Sequence, residues 1–181
     1  MPAPSSGSAN AAIAPVAGAM QVERFEATTP MPVLHVHSVD DPRAPYGGGL
    51  GPPFPLTRSR VDHEPVEGEL MRWVRLDGCP SEPVLVEERR EEATGHTAKL
   101  LRWAPCESGL EVELWKLTGA GHGWPGGETG REDLIGPKTD VIDAASEVWR
   151  FVSRFRKRPD GAVERAAQEP IEESAASIAS P

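Results

Sequence analysis

The chain has 181 residues, a hydrophobic fraction of 38% and a formal net charge of −9, which allows one globular domain of moderate size with polar tails. The acidic excess argues against nucleic acid as the main partner, because phosphate contacts need clustered Lys and Arg. No apolar run approaches the roughly 20 residues that span a bilayer, and no charged region precedes the first apolar run, so neither a membrane span nor a secretory signal is predicted.

The first half of the chain predicts two strands followed by a long loop. Residues 1–10 are small, polar and Pro-containing, and we expect them to be disordered. Residues 11–18 form a short apolar run that is compatible with a buried parallel strand, and residues 32–37 predict a second strand. Residues 42–64 contain five prolines and three consecutive glycines, so this segment is predicted to be a loop.

One helix and two more strands are predicted in the middle of the chain. Pro65 is a suitable first-turn residue, and apolar side chains repeat at helical spacing after it until Gly78 ends the pattern. Residues 97–103 and 110–117 are predicted to be strands, joined by a turn that contains Pro105.

The C-terminal part predicts a final helix and a tail. The helix is expected to begin near Thr139 or Asp140. Its predicted apolar face has i, i+3, i+4 spacing and consists of Val141, Ile142, Ala145, Val148, Trp149, Val152 and Phe155. Residues 159–181 offer almost nothing to bury, so we expect this tail to be disordered.

Two loops after strands carry side chains suited to catalysis. His122 lies in the glycine-rich loop 119–127, and Asp41 follows the strand at 32–37. Loops held by a rigid sheet are where catalytic groups are usually placed. A carboxylate after one strand and a histidine after a later one follow the order of the acid and base in an α/β-hydrolase triad. The Gly-x-Ser-x-Gly elbow that holds the nucleophile of that triad does not occur in this sequence.

Five segments carry a family resemblance in their order along the chain, namely residues 11–20, 32–49, 71–79, 110–127 and 140–151. Together they resemble the polyhydroxybutyrate depolymerase and feruloyl esterase-like branch of the α/β-hydrolases. The resemblance implies an α/β class and a partial α/β-hydrolase fold over residues 11–158, with parallel strands and flanking helices. In similar proteins the elbow and its helix precede the segment that resembles 11–20, so we expect the N-terminal half of the fold to be missing here.

The same resemblance implies roles for individual residues. His122 would be the triad base and Asp41 its orienting acid, because the acid follows the strand-end histidine by four positions just before a proline. A serine hydroxyl is a poor nucleophile until an imidazole accepts its proton, and the carboxylate then stabilises the imidazolium. Trp124, beside the histidine, and Tyr46, near the acid loop, are expected to contribute to a substrate pocket. No cofactor and no metal are implied.

The two cysteines and two strand histidines leave alternatives open. Cys79 and Cys106 lack a metal-binding spacing, and composition is compatible with free thiols or with one disulfide. The resemblance implies that they are bonded to each other. His35 and His37 share one face of a strand close to Asp41, which makes a metal site conceivable, although no third convergent histidine is evident.

Two classes of function are therefore considered. In the first, the chain is part of a carboxylic ester hydrolase that acts on a polyester or an aromatic acyl ester once an N-terminal half completes it. That half would be a separately encoded chain or a segment upstream of a misassigned start codon. In the second, the chain is a non-catalytic remnant or binding module with an esterase-like pocket. A structural alternative is a fragment whose exposed strand edges favour association. The cellular location is left open, although similar proteins are frequently secreted.

Overall fold

A four-stranded mixed sheet forms the centre of the protein. The computed structural model describes residues 11–18, 24–128 and 130–166. The sheet consists of β1 (Val33–Ser38), β4 (Val84–Arg90), β5 (Thr97–Trp103) and β6 (Val112–Thr118), in the order β1-β6-β5-β4. Two short antiparallel pairs lie outside it, β2 (Gly49–Leu50) with β3 (Asp62–His63) and β7 (Phe155–Lys157) with β8 (Val163–Arg165).

The pairing of β1 with β6 sets the geometry of the site. These two strands are parallel, with Val33 opposite Val112 and Ser38 opposite Leu117. The pairs β6–β5 and β5–β4 are antiparallel, so the sheet is mixed and not wholly parallel. The β5–β6 hairpin explains this difference, because its short turn returns the chain in the opposite direction.

Helices cover both faces of the sheet. The helices are α1 (Val66–Leu76), α2 (Glu132–Ile135) and α3 (Ala144–Val152). Apolar residues of α1, including Leu70, pack with Val33 and Leu114 on one face, whereas Phe151 of α3 packs with Leu34 and its neighbours on the other. Because β1 is covered on both faces, all six of its residues are buried, as expected for a parallel strand between helices.

Residues 11–18 lie beside β1 in the predicted parallel direction. They form two isolated parallel bridges, Ile13 with Val33 and Val16 with Val36, instead of a continuous strand. Their side chains are half-buried. Residues 1–10, where disorder was predicted, lie outside the described residues.

The last helix begins later than its apolar pattern predicts. It begins at Ala144, because the side chain of Asp143 accepts a hydrogen bond from the Ser146 backbone N–H and caps the helix. Ile142 is buried but precedes the helix. Trp149 was predicted to be a core residue and is instead 70% exposed, which corrects the predicted apolar face.

Five strands were not predicted, namely β2, β3, β4, β7 and β8. The short strands β2 and β3 lie in residues 42–64, which were predicted to be a loop, and β7 begins at Phe155, which was predicted to lie on the last helix. β4 is rich in charged residues, and its apolar residues Val84 and Leu85 are exposed, so its sequence shows no alternation of buried and exposed side chains. Backbone hydrogen bonds to β5 hold the strand in place. β8 lies within residues 159–181, where the sequence predicts disorder. It pairs with β7, and Arg165 forms an ion pair with the buried Glu111. Residues 167–181 lie outside the described part of the chain.

Candidate active site

Asp41 and His122 meet at the edge of the sheet where β1 and β6 end. Both side chains follow the carboxyl ends of these two parallel strands, and such ends form the usual ligand-binding edge of an open α/β sheet. Oδ2 of Asp41 lies 2.8 Å from Nδ1 of His122. The two residues are 81 positions apart in the chain, and the parallel pairing of β1 with β6 brings their loops to the same edge of the sheet.

Close backbone packing holds the histidine loop. The backbone N–H of His122 donates to the Ile135 carbonyl at 2.6 Å, and that of Gly121 donates to the Pro137 carbonyl at 2.8 Å. A Cβ on Gly121 would lie 2.2 Å from the Ile135 carbonyl oxygen, so this approach requires glycine. At the base of the two loops, Oδ2 of Asp40 accepts the Gly119 N–H at 2.7 Å. Asp40 therefore joins the loops, while Asp41 contacts the imidazole.

The Asp41 carboxylate is buried and fully engaged. Its Oδ1 accepts the backbone N–H groups of Arg43 at 2.7 Å and Ala44 at 2.8 Å. Burial opposes ionisation of this carboxyl, but hydrogen bonds from His122, His37 and the two backbone N–H groups outweigh it and hold the pKa of Asp41 well below its usual range. Because the carboxylate can only accept, Nδ1 of His122 carries the proton and Nε2 of the neutral ring presents a lone pair.

A cavity of about 260 Å³ lies beside His122. Its lining residues are Ala17, Gly18, Arg43, Ala44, Pro52, Phe54, Val61, His63 and His122. Within the described part of the chain this lining contains no serine or cysteine. The guanidinium of Arg43 lies 5.9 Å from the centre of the Phe54 ring. Arg43, Phe54 and His63 were not predicted as site residues, because they lie in the Pro- and Gly-rich segment that reads only as a loop.

Neither residue that was expected to form the substrate pocket lines this cavity. Trp124 is 48% exposed. The hydroxyl of Tyr46 donates to Oε1 of Glu67 at 2.7 Å, and the Lys116 ammonium lies 5.0 Å from the centre of its ring. Burial, and then the Glu67 carboxylate, raise the pKa of Tyr46 well above its usual range. Tyr46 is therefore a half-buried, hydrogen-bonded phenol that packs against the core behind the acid loop.

Cys79 and Cys106 form a disulfide, which confirms the pairing implied by the family resemblance. Their sulfur atoms are 2.02 Å apart and their Cα atoms 3.9 Å apart. The bond joins the segment after α1 to the turn between β5 and β6. Its place in the fold is that of a structural cross-link between the helix and the hairpin.

The residues that the structure describes form neither a cluster of metal ligands nor a membrane-spanning helix. Among the described residues, no group of three or more His, Cys, Asp or Glu side chains is arranged to hold a metal ion. His35 and His37 instead contact each other, with Nε2 of His35 3.0 Å from Nδ1 of His37. In the same described residues, no helix is both long enough and apolar enough to cross a membrane.

The chain is similar to a distantly related protein. The chain is 27% identical over 145 residues, or 80% of its length, to a bifunctional acetylxylan esterase/xylanase from Neocallimastix patriciarum. It spans 16% of the length of that protein. No protein-family model matches the chain, and no solved structure matches it. The similarity indicates an esterase-like relationship of a general kind.

Proposed function

We propose that this chain carries the acid and base of a serine-type carboxylic ester hydrolase. The observation that carries the proposal is the 2.8 Å contact between Asp41 and Nδ1 of His122 beside a cavity. The distant similarity to an acetylxylan esterase supports the ester class. The parallel β1–β6 pair, with helices on both faces, supports our placement of the chain in part of an α/β-hydrolase fold.

The geometry suits His122 to general-base chemistry. Nδ1 donates to Asp41, so Nε2 can accept the proton of a hydroxyl group that attacks an ester carbonyl. The imidazolium formed in this step is stabilised by the Asp41 carboxylate, and it then returns the proton to the leaving alkoxide. The nucleophile must come from outside the described cavity lining. We therefore propose that a segment bearing a Gly-x-Ser-x-Gly elbow docks beside His122.

The proposed substrate class follows from the family resemblance and the cavity. We place the chain in the polyhydroxybutyrate depolymerase and feruloyl esterase-like branch, so the substrate would be a polyester or an aromatic acyl ester. The Phe54 ring and Pro52 give the cavity an apolar wall, and its volume of about 260 Å³ suits an acyl group. The similarity to an acetylxylan esterase favours an acetyl ester as the substrate instead. A substrate panel separates these possibilities.

A second candidate function is a binding module without chemistry. It is favoured by one observation, namely the lack of serine and cysteine among the described residues that line the cavity. In this case the contact between Asp41 and His122 would be a retained structural feature. When an elbow-bearing segment is supplied, the esterase proposal expects ester hydrolysis, whereas the binding-module proposal expects none.

Hydrolysis assays test the proposal directly. The 181-residue chain is incubated with p-nitrophenyl acetate, p-nitrophenyl butyrate, methyl ferulate and acetylated xylan, and we expect no turnover above background. The chain is then produced as a fusion with the polypeptide encoded directly upstream. If that polypeptide holds the elbow, we expect hydrolysis that a serine-directed phosphonate blocks.

Variants of the fusion show whether the dyad is responsible. His122→Ala is expected to lower kcat by about 10⁴-fold or more, because triad members act as a unit. His96→Asn, a half-buried histidine that does not line the cavity, is the matched control and should retain activity. Turnover by the isolated chain that survives His122→Ala would contradict the proposal. An elbow-bearing fusion that folds but hydrolyses nothing would favour the binding module.

A further inference from the structure

An arginine without a carboxylate partner lines the cavity beside His122. Most of the described arginines form ion pairs, as Arg72, Arg102 and Arg154 do. Arg43 belongs to the cavity lining, and within the described part of the chain its guanidinium forms no ion pair. Its positive charge is therefore not matched by a nearby carboxylate.

The Arg43 guanidinium retains most of its capacity to donate hydrogen bonds. Its Nη2 donates to the Pro53 carbonyl at 3.2 Å, and its centre lies 5.9 Å from the centre of the Phe54 ring. A guanidinium carries five N–H donors in a planar fork and keeps its charge near neutral pH. The described contacts therefore leave a permanent cation with free donors at the wall of the cavity.

The backbone of Arg43 is held by the same carboxylate that holds the His122 ring. Its N–H donates to Oδ1 of Asp41 at 2.7 Å, while Nδ1 of His122 lies 2.8 Å from Oδ2. The Arg43 carbonyl oxygen lies 2.9 Å from the position that a Cβ on Gly51 would take, so the chain after β2 packs closely against it. Because Asp41 supports both, the base of the Arg43 side chain and the His122 ring keep a fixed relation to each other.

The rest of the lining carries no negative charge. Within the described residues it contains no Asp and no Glu. The Asp41 side chain is fully buried, and His122 and two backbone N–H groups occupy its oxygen atoms. Burial lowers the pKa of His63, which also lines the cavity, so its neutral ring is favoured. The permanent charge of the described lining is therefore the positive charge of Arg43.

The remaining wall is apolar and the cavity is small. Pro52, Phe54 and Val61 contribute apolar surface, and the volume is about 260 Å³. A ligand that contacts both parts of the wall is short and has one anionic end. A carboxylate matches the planar fork of a guanidinium with two parallel hydrogen bonds. One guanidinium also balances the single charge of a carboxylate better than the nearly double charge of a phosphate group.

We propose that Arg43 is a specificity-determining residue that binds a carboxylate on the substrate. The preferred ester then carries a free carboxylate a few bonds from the ester group, so that the carboxylate contacts Arg43 while the ester carbonyl lies beside His122. The role in substrate choice rests on the proposed esterase function. The capture of a carboxylate by Arg43 does not depend on hydrolysis.

Two kinds of ester share this chemistry. In a hemi-ester of a short dicarboxylic acid, the carboxylate lies on the acyl side of the ester bond. In an acylated hydroxy acid, such as the carboxyl end of a polyester chain, it lies on the alcohol side. Comparing one ester of each kind shows which side Arg43 binds.

Binding to the full chain tests the assignment without hydrolysis. Monomethyl glutarate and 3-acetoxybutanoate represent the two kinds of ester, and their neutral methyl esters are the matched ligands without charge. Titrations at pH 7 follow the amide ¹H–¹⁵N signals of Ala44 and His122, which both line the cavity. We expect at least one acid to bind about tenfold more tightly than its methyl ester, as for a hydrogen bond between charged groups.

The overall charge of the protein strengthens this comparison. Because the chain carries a net charge of −9, its overall field repels both acids. An acid that binds more tightly than its methyl ester is therefore held by a local cation. The kind of acid with the larger preference identifies the side of the ester bond that carries the carboxylate.

Arg43→Gln tests whether this cation is Arg43. The variant keeps the backbone N–H that bonds to Asp41, so the Asp41–His122 contact should remain, and we expect the preference for the acids to disappear. Arg58→Gln is the matched control, because Arg58 is exposed and does not line the cavity. This control should bind the acids as the unsubstituted chain does.

Equal affinity of the unsubstituted chain for the acids and their methyl esters would overturn the assignment, and so would a preference that survives Arg43→Gln. Failure of the esterase proposal is seen separately. A fusion that hydrolyses neutral esters, in a chain that shows no acid preference, contradicts only the role of Arg43. Acid binding that depends on Arg43, in a chain whose elbow-bearing fusion hydrolyses nothing, supports the carboxylate site and contradicts only the esterase function.

Discussion

The Cys79–Cys106 disulfide offers a direct test of how the fold is stabilised. The two residues are 27 positions apart, and the loop between them contains all of β4 and β5. Opening this loop in the double variant Cys79→Ser/Cys106→Ser restores chain entropy to the unfolded state. The loop-entropy relation gives a loss of about 3.5 kcal/mol in the free energy of unfolding for a loop of this size.

Urea unfolding followed by tryptophan fluorescence measures this loss. With a slope of about 2 kcal/mol per molar urea, the unfolding midpoint should fall by about 1.7 M. The same fall is expected when the unsubstituted chain is reduced, and the double variant should be insensitive to reductant. Equal midpoints for the oxidised and reduced chains, or two free thiols in peptide mapping of the unreduced protein, would refute the reasoning.

Two further predictions concern buried side chains. Asp77 accepts the Met31 N–H and its pKa is raised by burial to about 7, above the ordinary value of 3.8, so the folded state loses stability as pH rises from about 4 to about 7. Asp77→Asn should therefore raise the free energy of unfolding at pH 8 by up to about 4 kcal/mol and give no gain at pH 4, as measured by urea unfolding at both pH values. Trp115→Ala should cost about 3–5 kcal/mol because this side chain is 1% exposed, whereas Trp149→Ala, at 70% exposed, should cost less than about 0.5 kcal/mol by the same measurement. Similar losses for the two variants would contradict the burial seen here.

The elements that the sequence predicts well are those whose pattern reflects local burial. β1 and β6 are rich in apolar residues and end at loops that contain Asp, Pro or Gly, so the sequence predicts their approximate positions. The helix after Pro65 has the regular apolar spacing of a one-sided helix. The histidine loop is also recognisable in the sequence from its glycines. The structure explains one of them, because the close backbone approach at Gly121 leaves no room for a Cβ atom.

Where local pattern and tertiary contact disagree, the prediction is wrong or incomplete. Trp149 fits the apolar spacing of α3, yet its side chain is 70% exposed. β4 has no burial pattern, because hydrogen bonds to β5 hold it in place. The α/β-hydrolase fold itself stays a prediction that rests on the family resemblance and on the parallel β1–β6 pair.

The sequence by itself determined the identity of the acid and base residues that we propose, because strand-end loops with Asp and His in this order are recognisable without coordinates. Only the tertiary structure decided their surroundings, including the cavity wall around Arg43 and the histidine pair behind Asp41. The physical reason is that hydrogen-bond contacts and a cavity lining depend on distances between segments far apart in the chain. Residue order sets which groups are available, and the packing of β1 against β6 sets which of them meet.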